Sequence, residues 1–278
     1  MPELPEVETV RRDLEKEVVG RRIKAVEVDD PRLVRRHADP ADFVDRLQGR
    51  QITGVERRGK YLLLHPGDDD LLVIHLGMSG QLLKTAVKDP RAKHTHVVIT
   101  FTQGGELRYL DPRTFGELFV TPAATLEVDV PEIGDLGFDP IEAVMSWQHF
   151  AAMLLTRKVR LKALLMDQKV VAGIGNIYSD EILWNAGLRY DRSSDTLSSQ
   201  EIRRLYRAIG EVLHEAVKRR GSSLADQQYR DLYGKIGEYQ HEHHVYAREG
   251  LPCSRCRSPI VRERWSGRST FFCAQCQV

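Results

Sequence analysis

All four cysteines of the chain fall near its end, as Cys253-x2-Cys256-x16-Cys273-x2-Cys276. Two knuckles at this separation meet the spacing of a four-cysteine zinc site: each tight turn offers two thiolates, and the pair completes a tetrahedron. Two disulfides, or four thiols for redox work, would use the same residues, but nothing secretory accompanies them. One structural Zn2+ is therefore the expected cofactor. It would make the C-terminal stretch a folded module and not a frayed tail.

The opposite end carries a second group able to do chemistry. Proline follows Met1, and initiator methionine is normally trimmed before a small residue, which would expose a secondary amine beside Glu3. An α-amino group titrates near 8 and a lysine near 10.4, so at pH 7.5 roughly a third of the former is neutral against about 0.1% of the latter. Such an amine can attack a sugar C1′ and form a cationic iminium, an electron sink for elimination, while Glu3 moves protons for it. If Met1 stays, Pro2 is an inert amide. On the dipeptide alone, Met-Pro reads better as a plain chain start.

The net charge of +1 conceals local excesses. Residues 251–278 hold Arg255, Arg257, Arg262, Arg264 and Arg268 against the single acid Glu263, and 157–162 add Arg157, Lys158, Arg160 and Lys162. Basic patches in a near-neutral protein point to a polyanion touched at defined places, although a solvated face would look the same. No apolar run reaches membrane-spanning length, and the N-terminus has neither the basic flank nor the apolar stretch of a signal peptide. Reduced thiols and the lack of an export signal place the expected protein in the cytoplasm.

Elements must hold these groups, and the pattern of the chain changes midway. Val7, Val10, Leu14 and Val18 recur at helical spacing until Gly20. Short strands are then expected at 23–28, 61–64, 71–76, 96–101, 107–110 and 117–120, a density that suggests a β-sandwich or barrel. Beyond about residue 135 the pattern turns helical, over 147–155, 161–167, 177–186 and 198–219, with a capping box at Ser198 and Glu201. The turn Ala172-Gly173-Ile174-Gly175-Asn176 opens into a helix and so offers outward N–H groups to an anion, or serves merely as a connection. Residues 221–250 are polar and weakly periodic, and read as a mobile loop leading to a hairpin of 261–265 and 269–272. His241, His243 and His244 would suit a second metal, or simply line that loop.

Several ordered motifs run through the chain: Met1-Pro-Glu-Leu-Pro-Glu-Val-Glu-Thr9, Arg57-Arg58-Gly59-Lys60-Tyr61-Leu62, His75-Leu76-Gly77-Met78-Ser79-Gly80, Asp111-Pro112-Arg113-Thr114-Phe115-Gly116, Gly173-Ile174-Gly175-Asn176-Ile177-Tyr178 and Arg268-Ser269-Thr270-Phe271-Phe272-Cys273. Together with the cysteine hairpin they make the whole chain resemble the bacterial formamidopyrimidine-DNA glycosylase family (Fpg, within the Fpg/Nei group). The resemblance implies an α+β chain of three parts: an N-terminal β-sandwich with flanking helices over 1–134, a helix-two-turn-helix domain with a lesion-capping loop over 135–240, and a zinc β-hairpin over 241–278.

It further implies a bifunctional glycosylase and abasic-site lyase of base excision repair, acting as a monomer on duplex DNA that contains an oxidised base or abasic site. Its expected substrates are oxidised purines, 8-oxoguanine and formamidopyrimidines, in the bacterial cytoplasm at the nucleoid. Carried over by motif, Pro2 forms the Schiff base, Glu3 donates the proton, Lys60 contacts phosphate and assists β-elimination, and Arg268 supports δ-elimination. Met78, Arg113 and Phe115 match the family's set that fills the gap left by a flipped base; core packing is the other reading of Met78 and Phe115. His94, Arg157, Lys162 and Asn176 match its DNA-contact positions, although His94 reads equally well as a surface histidine. The chain departs from the family at Arg220, where a second glycine is usual, and around 230–239, which leaves the base preference open. The endonuclease VIII branch, for oxidised pyrimidines, is the nearest alternative, but Leu4 follows the Fpg pattern. A non-catalytic zinc protein that binds damaged DNA is the alternative from another class, and the presence of Pro2, Glu3 and Lys60 together opposes it.

Overall fold

The computed structural model describes all 278 residues except 68, 144, 226 and 227. Contacts divide it into two compact units, one made of 1–135 with 219–238 and the other of 136–218 with 239–278.

The first unit opens with helix α1 (Leu4–Val18), which buries Val7, Val10, Leu14 and Val18 as its spacing requires. Glu3 and Glu6 form a reciprocal capping box at its start. Strand β1 (Ile23–Val28), helix α2 (Pro40–Leu47) and strands β2 (Ile52–Arg58), β3 (Tyr61–Pro66), β4 (Asp70–His75), β5 (Gln81–Thr85), β6 (Thr95–Phe101), β7 (Glu106–Leu110) and β8 (Glu117–Pro122) follow, then short helices α3 (Leu126–Asp129) and α4 (Pro131–Gly134). The strands make two antiparallel sheets, ordered β1-β6-β7-β5 and β2-β3-β4-β8. Val97, Ile99 and Leu107 from one sheet and Leu62, Leu72 and Ile74 from the other join the inner face of α1 in a single core, so the unit is a β-sandwich.

The described residues between 219 and 238 are packed and not a free loop, while 226 and 227, part of the stretch expected to be mobile, lie outside the described residues. Tyr229 and Leu232 are buried in the sandwich core, and the Glu238 N–H bonds to the Arg219 carbonyl at 2.9 Å, closing the segment on itself. Single apolar anchors without a period were invisible to pattern, and described polar residues such as Arg220, Ser223 and Asp231 are held by side-chain bonds.

In the second unit α5 (Trp147–Leu155), α6 (Leu161–Met166), α7 (Asn176–Ala186) and α8 (Ser199–Lys218) precede strands β9 (Val261–Trp265) and β10 (Arg268–Phe272). Helix α7 is buried on nearly every side and packs on α6, α8 and β10. Ser198 and Glu201 make the expected capping box ahead of α8. Ser266 and Gly267 both take positive φ, the requirement of a two-residue hairpin turn, so β10 begins directly at Arg268 opposite Trp265. No helix among the described residues is long and apolar enough to cross a membrane.

Candidate active site and metal centre

Pro2 and Glu3 stand buried at the head of α1, while Met1 is 47% exposed and can be removed without loss of core packing. The Glu3 N–H donates to Glu6 Oε2 at 2.8 Å, and Glu6 Oε1 accepts the Ser222 N–H at 2.7 Å. Gly221 allows this approach: it takes φ +77°, and a Cβ there would lie 2.6 Å from Glu6 Oε1. Glu6 thus links the two candidate catalytic residues to the 219–238 segment.

Lys60 is nearly buried and follows Gly59, a positive-φ residue in the β2–β3 turn. The wholly buried Arg57 fixes that turn, donating Nη1–H to the Gly59 carbonyl and Nε–H to Glu8 Oε2, both at 3.0 Å. Glu8 also takes bonds from Arg11 and Arg12. Burial would raise the Glu8 carboxyl, but Arg11, Arg12 and Arg57 outweigh it and hold it below the ordinary carboxylate range. Through Glu8 the turn bearing Lys60 is tied to the helix that begins at Pro2-Glu3. Beside Lys60, burial pushes the His75 imidazole down to about 4, and the neighbouring Lys60 charge adds to this.

Met78 and Phe115 are 38% and 53% exposed, so neither is a core residue. The Arg113 guanidinium lies 4.7 Å from the Phe115 ring centre. Their two loops are joined by buried Asp111, which accepts from the Ser79 hydroxyl at 2.6 Å, the Arg113 N–H at 3.1 Å and the Gly116 N–H at 2.8 Å. A Cβ on Gly77 would stand 2.5 Å from the Gly116 nitrogen, so glycine is what lets the loops meet. His94, half-buried and at φ +64°, accepts the Asp111 N–H on its carbonyl at 3.1 Å.

In the second unit Arg268 is exposed beside Arg262, Arg264 and Ser269 around an open depression. Arg157 is half-buried and donates to the Met153 carbonyl at 2.6 Å. Asn176 starts α7 and donates Nδ2–H to the Ser269 carbonyl at 3.0 Å. Lys162, expected at the DNA, faces inward. Its side chain is fully buried with Nζ 2.6 Å from Asp180 Oδ1, so it has no access to a phosphate in this structure. Burial pushes Asp180 up to about 6 against the pull of Lys162, and Glu181 up to about 7 against three backbone N–H donors at 244–246.

The four cysteine sulfurs all lie within 4.8 Å of one another, with Cys253–Cys276 at 3.9 Å and Cys256–Cys273 at 3.5 Å. A Zn–S bond of ~2.3 Å gives a tetrahedral edge of about 3.8 Å, whereas a disulfide needs ~2.05 Å. The donor set therefore fits one structural zinc. The histidines of 241–244 form no second cluster among the described residues. His243 is buried, which lowers its imidazole to about 4, and His244 stacks on Trp184 at 3.9 Å.

Sequence reasoning missed the residues behind these groups: Glu6, Glu8, Arg57, Asp111, Asp180 and Glu181. The available signal was that Asp180 and Glu181 interrupt an apolar helix, where unpaired acids would not survive burial.

A sandwich with a buried N-terminal Pro-Glu pair, and a helical unit ending in a four-cysteine hairpin, together describe a two-part protein with a C-terminal zinc finger. Comparison with known proteins agrees. Family models match residues 1–118 (formamidopyrimidine-DNA glycosylase N-terminal domain), 136–228 (its H2TH domain) and 250–278 (zinc finger found in FPG and IleRS). Curated formamidopyrimidine-DNA glycosylases from Heliobacterium modesticaldum and Pelotomaculum thermopropionicum are 46% and 40% identical, covering 100% of this chain and 100% and 99% of theirs. The Lactococcus lactis Fpg solved with abasic-site DNA superposes with a TM-score of 0.91 at 36% identity over 99% of each chain. The Thermus thermophilus MutM (Fpg) structure gives 0.88 at 41% over 99% of this chain and 98% of its own. The chain belongs to the formamidopyrimidine-DNA glycosylase family and is a DNA glycosylase of base excision repair.

Proposed function

We propose that this enzyme removes oxidised purines, 8-oxoguanine and formamidopyrimidines, from duplex DNA and then cuts the strand by β,δ-elimination. The observation that carries the reading is the placement of Pro2 and Glu3 at the head of α1, with the Lys60 turn tied to the same helix through Arg57 and Glu8. Once Met1 is gone, the Pro2 amine attacks C1′ as the bond to the base breaks, and Glu3 supplies the proton that opens the sugar ring to an iminium. The iminium withdraws electrons from C2′, so proton loss there expels the 3′ phosphate, and a second proton loss expels the 5′ phosphate. Lys60 holds the phosphate beside the lesion through the first step, and Arg268 the flanking phosphate through the second.

The base must leave the stack before C1′ can be reached. Exposed Met78 and Phe115, with Arg113 over the Phe115 ring, supply an apolar plug, a wedge and a planar donor for the orphaned partner base. His94, Arg157 and Asn176 are assigned to the DNA backbone, and Lys162, being buried, is not. Zinc, when bound by Cys253, Cys256, Cys273 and Cys276, holds the hairpin in shape; Arg268 rides on that hairpin. The relatives support the DNA partner, since L. lactis Fpg has been solved with abasic-site DNA and, as a mutant, with Fapy-dG DNA. The enzyme is assigned to the bacterial cytoplasm at the nucleoid, as a monomer.

Single-turnover excision of 8-oxoguanine opposite cytosine, compared with thymine glycol, tests the reading. The expected enzyme prefers the purine, and E3Q binds the lesion but fails to release it. Faster excision of thymine glycol would place the chain with the pyrimidine-specific branch.

A further inference from the structure

We propose that Asp180 is a positioning residue for Arg268: its carboxylate holds the outer edge and inner face of β10, and so fixes the direction in which Arg268 points. This rests on the reading of Arg268 as a phosphate contact. A two-stranded hairpin leaves the far edge of each strand without a neighbour. On β10 that edge is met by side chains from α6 and α7. Asp180 Oδ2 accepts the Phe271 N–H at 2.9 Å, and Oδ1 accepts the Thr270 hydroxyl at 2.8 Å. The Ser269 carbonyl faces Asn176 Nδ2 at 3.0 Å and Lys162 Nζ at 3.5 Å. Three consecutive residues are thus gripped, immediately after Arg268.

Alternation supplies the link to function. Residues two apart on a strand share a face, so Arg268 projects from the same face as Thr270, one pleat nearer the turn. Thr270 is fully buried and bonded to Asp180, whereas Arg268 is exposed. The Thr270–Asp180 bond therefore sets the face that Arg268 presents, and a slip of one residue would turn Arg268 to the other side. Stability alone does not account for the arrangement. A wholly buried ion pair such as Lys162–Asp180 is often matched or bettered by packed apolar residues. A carboxylate backed by a lysine supplies directed acceptors that apolar packing cannot. Glu181, next along α7, accepts the N–H groups of His244, Val245 and Tyr246, and so anchors the segment entering the finger from the same helix.

The test uses the zinc-loaded full-length enzyme with T270V, T270S and D180N, each alone and combined with R268A. The readouts are affinity for a duplex holding a tetrahydrofuran abasic analogue, the ratio of δ to β product on a true abasic site, and zinc per chain. T270V should keep one zinc yet bind about ten- to a hundredfold more weakly, with a matching fall in δ product, as expected for the loss of one bond to a charged group. T270S should restore both. In the R268A background T270V should add nothing, because it acts through Arg268; a merely structural role would lose zinc and multiply with R268A, and would overturn the proposal. D180N should show the larger loss, and if it fails to fold because the Lys162 charge is stranded, T270V still decides. Wild-type behaviour of T270V beside a defective R268A would refute the positioning role alone. A normal R268A would remove the phosphate reading, and this proposal with it.

Discussion

Replacing Arg220 by glycine should destabilise this protein. The backbone argues the other way, since Arg220 sits at φ +60°, and relief of a left-handed non-glycine residue returns about 1 kcal/mol. The side chain decides against it. Arg220 donates to Asp13 on α1 and to Asp231 Oδ2, the latter from Nε at 2.9 Å and from Nη2 at 2.7 Å. Both carboxylates are buried, while the guanidinium is 39% exposed. Stranding one partner of a fully buried pair costs about 3–5 kcal/mol, and screening at a partly exposed guanidinium brings this to about 3. Asp231 keeps its backbone donors at 233 and 235, so Asp13 bears most of the loss.

The net expectation for R220G is a loss of about 2 kcal/mol, read as a lower urea midpoint of the sandwich transition with zinc saturating. Burial already raises the Asp13 carboxyl, and Arg220 draws it back, so removing Arg220 raises it further. A protonated carboxyl needs no cation. The deficit is therefore full at neutral pH and shrinks as the pH falls through the range where Asp13 takes up its proton. Base excision should suffer more than cleavage at a preformed abasic site. An R220G enzyme as stable as wild type, or a deficit independent of pH, would refute the reasoning.

Chelating zinc should unfold the hairpin and abolish binding to lesion DNA while the sandwich keeps its far-ultraviolet signature; tight binding by protein with less than about half an equivalent of zinc would contradict this. His75, held near 4 against an ordinary 6.5, favours the folded state fully above pH 6.5 and loses that contribution as the pH falls towards 4. Relative to H75Q, the wild-type sandwich should lose about 3 kcal/mol between pH 7 and pH 4, measured by urea unfolding at each pH. Phosphate contacts by Lys60, Arg157 and Arg268 should give a plot of log affinity against log salt with a slope of about −3, and a flat plot would take these side chains off the backbone.

Period and punctuation exposed much of this architecture. Strands β1 and β9 and helix α5 begin and end where the pattern does, because each has one face buried and a clear stop. Strand β2 escaped because its end, Glu56-Arg57-Arg58, is charged throughout and shows no apolar alternation; Arg57 is buried only because Glu8 meets it from α1. Strand β5 offers too little, Leu82 and Leu83 between polar neighbours, for alternation to register. The basic run at 157–162 showed its charge but not its fate: Lys162 turns inward to an acid on another helix, which no local pattern encodes. Motif residues at the head of α1, at Lys60 and on the hairpin were legible, whereas the acids that hold them in place were not. Motifs report the groups that touch a ligand, and long-range ion pairs position them.

The central claim is that the Pro2 amine is the nucleophile, and borohydride reduction tests it most directly. With 8-oxoguanine opposite cytosine in a duplex, reduction should leave enzyme covalently joined to DNA, and peptide mass mapping should place the adduct on Pro2 of chains that lack Met1. Pro2→Gly should trap weakly, since it keeps a terminal amine, and K60A should trap at the same site with reduced yield. An adduct mapped to Lys60, or trapping that survives a blocked N-terminus and disappears in K60A, would contradict the account.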